Sequence, residues 1–538
     1  MPAIESLVDT GSQSFQENRE AMEQHVRGFR ALEQAIEDKA FTKKAKYEKR
    51  GQLLPRERLE LLIDPDRPFL ELSSLAGYKM YGDKDGTSAG GSAITGIGYV
   101  SGIRCIVMVD NYAIKGGTIT PIGLQKRLRL QQIALENKLP IVALSQSGGA
   151  DLNHATETFS PGGRAFYNQA RMSAAGIPQI TVVHGSATAG GAYQPGLSDY
   201  TIMVRKQATM YLAGPPLLKA ATGEIATDEE LGGAEMHCQT AGTGEYLAEN
   251  DGDAIRIVRE IMSMLPWEKK LPPKAAVEFE EPLYGIDELM GLVPADAKTP
   301  YDVREVIARL ADGSRFLEFK GEYDQQTICG HLTIEGMTCG VIGNNGPITP
   351  EGATKAAQFI HTLDQSGIPL LFLHNTTGFM VGTEVERKGI IKHGSKMIQA
   401  VANARIPRIS IVIGGSYGAG NYAMCGRGFD PRFLFAWPNS TTAVMGAAQA
   451  GKVLRIVAEA KMERMGQQMP AEMIDALEQK TVKQMEDGSS ALACTARLLD
   501  DGLIDPRDTR KILALVLDIC RTAEVRELNS STFGVSRF

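Results

Sequence analysis

The sequence predicts an α/β protein made of two tandem copies of one unit, each with a mainly parallel sheet. Three observations lead there: the chain matches itself at a fixed separation, buried strands alternate with helices in both copies, and a proline-rich break lies between them. The self-match comes first, because a missed repeat misassigns a whole fold. At a separation of 229 residues, Thr120-Pro121 falls on Thr349-Pro350, Gly123 on Gly352, Lys126 on Lys355 and Pro140 on Pro369. The register runs without a gap through Leu144 and Leu373, Gly149 and Gly378, Ile177-Pro178 and Ile406-Pro407, and Gly185 and Gly414, to Tyr193 and Tyr422. Upstream it drifts, with Cys105 opposite Cys339 and Arg56-Glu57 opposite Arg304-Glu305, as insertions in loops would produce. One separation joining residues of different types over three consecutive elements favours duplication over the chance recurrence of Gly and Pro.

Taken in order, the stretch from Phe15 to Ile63, rich in Glu, Lys, Arg, Leu and Ala, predicts helical decoration. Gly90 to Gly102 reads as strand and hairpin turn. Thr120-Pro121 and Thr349-Pro350 are each an N-cap followed by Pro at the first helical position. In the second copy Ala356, Phe359, Ile360 and Leu363 keep helical spacing, and the helix stops at Gly367 before Pro369. A buried strand follows in each copy, Ile141 to Leu144 and Leu370 to Leu373, ending in Ser147-Gly148-Gly149 and Thr376-Thr377-Gly378. After another helix come Ile180 to Val183 and Ile409 to Val412, each closed by a turn of small residues. The stiff run from Leu265-Pro266-Trp267 to Leu271-Pro272-Pro273-Lys274 has the character of a boundary, which predicts domains 1–275 and 276–538.

Composition bounds the function. With 538 residues, 57 Lys+Arg against 64 Asp+Glu, a net charge of −7 and 43% hydrophobic residues, the chain reads as an ordinary globular protein. Nothing in this mild acidity offers the basic patch that nucleic acid or an anionic membrane calls for. The seven cysteines are scattered without a C-x-x-C pair, so they read as buried thiols in a reducing compartment, with no metal site implied. No apolar run approaches the ~18 residues of a membrane span, and the start of the chain has neither a basic nor an apolar leader; the expectation is a cytoplasmic protein.

In parallel sheets, chemistry sits at the carboxyl ends of strands. There the copies carry Gly185-Ser-Ala-Thr-Ala-Gly190-Gly191-Ala192-Tyr193 and Gly414-Gly-Ser-Tyr417-Gly418-Ala419-Gly420-Asn421-Tyr422. Small residues let a ligand reach the backbone, and a helix starting at such a turn presents free N–H groups to a developing oxyanion. Each well-placed donor contributes ~3 kcal/mol to a barrier, so two turns suit two charge centres. Close helix–strand packing is the structural alternative. Gly414-Gly-Ser416-Tyr-Gly418 also matches a nucleophile elbow, which would make Ser416 the nucleophile of a serine hydrolase. In that fold the catalytic histidine follows the serine, yet all eight histidines precede Ser416, so the elbow lacks its base. Walker A and H-E-x-x-H sequences are missing, and Gly96-Ile-Gly98 lacks the third glycine of a dinucleotide fingerprint. His184, His374 and His393 read as hydrogen-bonded structural residues.

Eight blocks resemble, in order, the carboxyltransferase β subunits of biotin-dependent acyl-CoA carboxylases. They are Ser147 to Ala150, Phe166-Tyr-Asn-Gln169, Thr188 to Tyr193, Leu212-Ala-Gly-Pro-Pro216, Gly378-Phe379-Met-Val-Gly382, Gly415 to Tyr422, Trp437-Pro-Asn439 and Asp501 to Pro506. The resemblance spans nearly the whole chain and implies two crotonase-like domains arising by duplication. It implies that the N-terminal domain binds acyl-CoA, with Ser147, Gly148, Gly149, Ala150, Gly162, Gly163, Ala192 and Tyr193 as substrate-binding residues. The C-terminal domain would bind carboxybiotin through Gly378, Phe379, Tyr417 and Tyr422, with active sites between domains of different subunits. Gly190 and Gly191 would donate backbone N–H groups to the thioester enolate, and Gly418, Ala419 and Gly420 to the ureido oxygen of biotin. The released biotin nitrogen would take the substrate proton, so no side-chain base is required. The chain lacks the biotin-attachment sequence A-M-K-M, its nearest pieces being Ser395-Lys-Met397 and Ala460-Lys-Met462. Biotin, the biotin carboxylase and the carrier domain would therefore reside on an α subunit, in an α6β6 assembly around a β hexamer.

Within the family the chain is most like the methylcrotonyl-CoA and geranyl-CoA branch. Methylcrotonyl-type sequences carry His-Phe-Gly-Arg before Phe-Tyr-Asn-Gln, whereas here Phe159-Ser-Pro-Gly162-Gly163-Arg164-Ala165-Phe166 is shorter and lacks that Phe. Losing an aromatic frees the space of a side chain that buries ~150–250 Å². Geranyl-CoA is the substrate this predicts, with 3-methylcrotonyl-CoA as the alternative; a shortened surface loop would be the trivial explanation. Outside the class stand the serine hydrolase and a non-catalytic crotonase-fold scaffold.

Overall fold

In the computed structural model, which describes residues 1–269, 271–272, 278–296, 299–466 and 470–536, local chemistry sets the same elements twice. Thr120 and Thr349 each accept a hydrogen bond from a backbone N–H three residues on, Gly123 N at 3.2 Å and Gly352 N at 2.8 Å. Pro121 and Pro350 follow at the first helical position, where a missing N–H costs nothing. The helices Pro121–Glu136 and Pro350–Ser366 start as their sequences predict, and Gly367 ends the second in the left-handed conformation, φ 68°.

The strands are β1 Leu70–Glu71, β2 Ala93–Val100, β3 Ile103–Asp110, β4 Ile141–Ser147, β5 Gln179–Thr188, β6 Tyr200–Val204, β7 Thr209–Tyr211 and β8 Tyr246–Ala248. They form one sheet in the order β1-β2-β3-β4-β5-β6-β8, with β7 beside β5; β1 to β3 are antiparallel and the rest parallel. The second set is β9 Leu317–Glu318, β10 Thr327–Ile334, β11 Met337–Asn344, β12 Leu370–Thr376, β13 Arg408–Tyr417, β14 Phe433–Ala436 and β15 Thr441–Ala443. Its order, β14-β13-β12-β11-β10-β9 with β15 beside β13, repeats the first sheet, with no counterpart of β8 among the described residues. The β2–β3 hairpin turns at Ser101-Gly102, both at positive φ, and its two N–H groups donate to the Asp64 carboxylate at 3.0 and 2.7 Å. Glu335-Gly336 repeats the turn on Asp312, at 2.8 and 2.8 Å.

The chain forms two compact units: residues 30–274 with 496–498 and 521–538, and residues 275–495 with 499–520 and 1–29. Both ends therefore depart from a simple division at 275, and residues 273–277 themselves lie outside those described. In the C-terminal unit Ile4 N donates to Ser314 O at 2.9 Å, Ser6 Oγ to Glu305 at 2.6 Å, and the Phe15 ring fills the space above Gly291. In the N-terminal unit Lys138 Nζ donates to Arg526 O at 2.6 Å, and Ser531 N to Ala174 O at 2.7 Å. The N-terminal core packs Val142, Leu144, Ile180 and Val182 with Leu59, Leu62, Val258 and Met262; the C-terminal core packs Ile342, Leu370 and Phe372 with Phe359, Leu363 and Met397. Six of the seven cysteines are buried, all are free thiols, and no helix among the described residues is long and apolar enough to cross a membrane.

The repeated lysines are structural. Lys126 Nζ, buried, donates to the carbonyls of Ser73, Gly90 and Ala93 at 3.1, 2.9 and 2.8 Å, and Lys355 Nζ to those of Tyr323 and Asp324 at 3.0 and 3.0 Å. Three acceptors match the three N–H groups of an ammonium, while burial pulls the Lys126 pKa down to about 7. Replacing Lys126 by Met leaves buried carbonyls unmatched and is expected to destabilise the protein by about 3 kcal/mol, read as a lower urea midpoint at unchanged slope.

Candidate active site

The N-terminal unit holds a mostly apolar cavity of about 780 Å³, lined by β3, β4, β5 and the helices Pro121–Glu136 and Ala155–Ala174. It brings together Gly148, Gly149 and Ala150 after β4, Gly162 and Gly163, and Gly190, Gly191 and Tyr193 after β5. Two other predicted substrate residues do not line it. Ser147 Oγ instead donates to Gly117 O at 2.8 Å and accepts from Gly149 N at 3.1 Å, so it holds the loop that reaches the cavity. Ala192 is buried in the core.

Gly162 and Gly163 lie within helix Ala155–Ala174, not in a surface loop, directly after Pro161. Such a stretch is a poor helix former, costing about 5 kcal/mol against three alanines, and the helix is anchored on either side of it by buried Thr158 and Gln169. A Cβ built at either glycine meets nothing within 4 Å, so the missing side chains are open space beside the cavity. Phe166, from the same helix, packs on Tyr193 with ring centroids 5.3 Å apart and would meet a Gly190 Cβ at 3.8 Å.

The predicted turns are placed by a shared irregularity. The β4–β5 register shifts between Ser145 and Ser147, and the β12–β13 register between His374 and Thr376, the same positions 229 residues on. The strands run further than the sequence implies, to Thr188 and Tyr417, and the helices after them are short: a 3₁₀ turn Ala189–Ala192 followed by Tyr193–Gly196, and Gly418–Ala423. Helices this short carry little dipole, so what these turns can offer an anion is the free N–H groups of a first turn. Ala189 and Gly418 take equivalent left-handed conformations, φ 52° and 54°; the Ala form is strained by about 1 kcal/mol.

Around the second turn, Gly420 packs on Gly378, whose φ of 112° suits only glycine, and a Gly420 Cβ would lie 2.8 Å from the Gly378 Cα. Gly378 N donates to Thr376 Oγ1 at 3.1 Å, as Gly149 N does to Ser147. Phe379 turns its ring onto Gly394, and Tyr417 Oη bonds Thr441 Oγ1 at 2.7 Å. Tyr422 is half exposed and stacks on Phe429 at 5.9 Å.

Residues 46–535 match the model of the carboxyl transferase domain family. The chain belongs to the carboxyl transferase family. It is the carboxyltransferase component of a biotin-dependent acyl-CoA carboxylase, as its eight sequence blocks imply. It is 49% identical over 489 residues, 91% of each chain, to the probable biotin-dependent acyl-coenzyme A carboxylase beta2 subunit of Mycobacterium tuberculosis. It is 50% identical over 491 residues to the mitochondrial methylcrotonoyl-CoA carboxylase beta chain of Dictyostelium discoideum, covering 91% of this chain and 83% of the other. The crystal structure of the geranyl-CoA carboxylase beta subunit of P. aeruginosa superposes with a TM-score of 0.94 at 64% identity, covering 100% of both chains.

One reading of the serine elbow needs correcting. The carboxyltransferase does place a histidine beside Ser416: His374 Nδ1 lies 2.9 Å from Ser416 Oγ, although His374 precedes it in the chain. What removes the elbow is burial. Ser416 and His374 are both fully buried, Asn421 Nδ2 donates to Ser416 Oγ at 2.8 Å, and burial lowers the His374 pKa to about 3. Ser416 Oγ thus shares a hydrogen bond with a neutral imidazole and has no open face for a substrate. Chain order hides this contact, because only the pairing of β12 with β13 brings the two residues together. A fluorophosphonate probe is expected to leave Ser416 of the folded carboxyltransferase unlabelled, read by peptide mass; stoichiometric labelling would restore the hydrolase.

Proposed function

We propose that the carboxyltransferase moves a carboxyl group from carboxybiotin to the γ carbon of geranyl-CoA. The observation that carries the substrate choice is the open space at Gly162 and Gly163 beside the cavity of about 780 Å³. An aromatic side chain there would occupy the volume that a second isoprenoid unit needs. The likeness to the geranyl-CoA carboxylase subunit supports the same choice.

The N-terminal unit holds the acyl group in this reading. The thioester oxygen lies at the Ala189–Gly191 turn, where the N–H groups of Gly190 and Gly191 stabilise the enolate formed when the γ carbon loses its proton. Apolar walls keep water from that carbanion. Gly418, Ala419 and Gly420 of the C-terminal unit offer their N–H groups to the ureido oxygen, and Gly378, Phe379, Tyr417 and Tyr422 surround that turn. Carboxybiotin, carried by a partner α subunit, supplies the carboxyl group and, on its release, the base that takes the γ proton. With the base supplied, this chain's own contribution is orientation and hydrogen bonding. A β hexamer within an α6β6 assembly completes the proposal.

Two tests follow, with a biotinylated α subunit, ATP, magnesium and bicarbonate. Gly163→Phe is expected to lower kcat/KM for geranyl-CoA at least about tenfold while sparing 3-methylcrotonyl-CoA, as overpacking a fitted pocket costs ~1–3 kcal/mol. Unchanged geranyl-CoA kinetics would remove the pocket argument, and wild-type activity confined to 3-methylcrotonyl-CoA would change the substrate. Gly190→Ala keeps its N–H and has room for a methyl group, so it should retain most activity. Gly190→Pro deletes the N–H in a first helical turn, where Pro is tolerated, and should lose about 100- to 1,000-fold in kcat.

A further inference from the structure

The strand irregularity beneath each turn leaves a gap with its own hydrogen-bonding demand. In the N-terminal unit β5 pairs with β4 at Val183 and again from Ala187, with β6 up to Val183, and with β7 from Ser186. His184 and Gly185 pair with no strand on either side. In the C-terminal unit Ile413 and Gly414, 229 residues on, fall in the same gap between Val412 and Gly415. Backbone groups buried in a bulge lose their ladder partners and need others.

Each unit meets this need with side chains. The His184 carbonyl accepts from Gln52 Nε2 at 3.0 Å, and the Ile413 carbonyl from Asn439 Nδ2 at 3.4 Å. On the neighbouring strands, Gln146 N donates to Asp110 Oδ2 at 3.1 Å and Asn375 N to Asn344 Oδ1 at 3.4 Å. Glycine at 185 and 414 lets the Gln146 and Asn375 amides lie across the gap, since a Cβ would meet them at 2.7 and 2.3 Å. Gln52 precedes helix Pro55–Leu62, whereas Asn439 lies between β14 and β15, so unrelated segments supply one type of donor to one backbone position. Gln52 is itself held: its Oε1 accepts from Gln146 Nε2 at 3.4 Å, Gln146 Oε1 from Arg58 at 2.7 Å, and Arg58 pairs with Asp251 at 2.9 Å. Asp251 also accepts from Leu53 N at 2.8 Å and contacts His184 Nδ1 at 2.7 Å, which closes the ring of bonds.

We propose that Gln52 is a positioning residue for carboxyl transfer: its amide fixes the His184 carbonyl, and with it the direction in which β5 leaves the sheet toward Ala189–Gly191. Asn439 does the same for Gly418–Gly420. Gln52 does not line the cavity, so it acts only through the turn. The proposal rests on the reading that N–H groups of this turn hold the thioester oxygen.

Gln52→Met, which keeps the length and removes the donor, is expected to lower kcat per folded enzyme about 10- to 100-fold with the KM for geranyl-CoA little changed, because a misplacement of ~1 Å carries that penalty; the unmatched His184 carbonyl also lowers the thermal midpoint. Gln52→Leu, likewise without a donor, should show the same split. A purely structural residue would lower the thermal midpoint and leave kcat per folded enzyme at the wild-type value; that result, kcat within twofold of wild type in both variants, or failure of both to fold, overturns the proposal. Gly190→Pro, run alongside, separates the two ideas. If it keeps the wild-type rate, the oxyanion reading fails and the proposal falls with it; if it loses the rate while both Gln52 variants keep theirs, only the positioning role falls.

Discussion

Everything at the mouth of each sheet depends on one constraint: two neighbouring parallel strands must part company without leaving buried backbone groups unmatched. A parallel ladder that ran on unbroken would carry β5 and β13 straight out of the sheet. The register shifts after Ser145 and His374 free the chain to turn. Burial makes the freed groups costly unless partners are supplied, at about 1–3 kcal/mol for each orphan. Side chains of Asp110 and Gln52 in one unit, and of Asn344 and Asn439 in the other, meet that demand. Glycine at 185 and 414, and the left-handed residues at 189 and 418, follow from the same geometry.

The interactions that survive in both copies mark what the architecture requires. Each unit has a threonine cap with its proline, a lysine held by backbone carbonyls, an aspartate under the hairpin turn, and a hydroxyl that clasps the glycine two residues after it. None of these contacts is chemical machinery. What differs between the copies is the lining: one carries a large apolar cavity beside Gly162 and Gly163, the other places Tyr422 on Phe429 next to its turn. A common frame thus carries two different half-reactions in the proposed mechanism.

Much of this was legible in the sequence because the signals are local. Caps, helix stops and hydrophobic strands act over a few residues each, the 229-residue match needs no knowledge of contacts in space, and together they located both turns. Legibility ended where partners come from elsewhere in the chain. Asp110 and Asn344 lie beyond the region of constant separation, and Gln52 and Asn439 occupy unrelated positions, so no self-comparison pairs them. The contact between His374 and Ser416 needs adjacent strands, which chain order alone does not reveal. Gly162 and Gly163, for which a shortened surface loop was the alternative, lie in helix Ala155–Ala174, which Pro161 and two glycines oppose locally and which buried Thr158, Gln169 and Met172 anchor on either side. The exchange of chain ends between units was hidden too, since Phe15 and Arg526 find their partners far away in sequence.

The use of unrelated donors, Gln52 in one copy and Asn439 in the other, has an evolutionary consequence. Each donor lies within its own unit, on a segment that has no counterpart role in the other. With separate donors, mutations can reshape how the acyl group is held without touching how the carboxyl donor is held. A duplicated scaffold of this kind can change its acyl substrate while the shared carboxyl-donating step stays as it was.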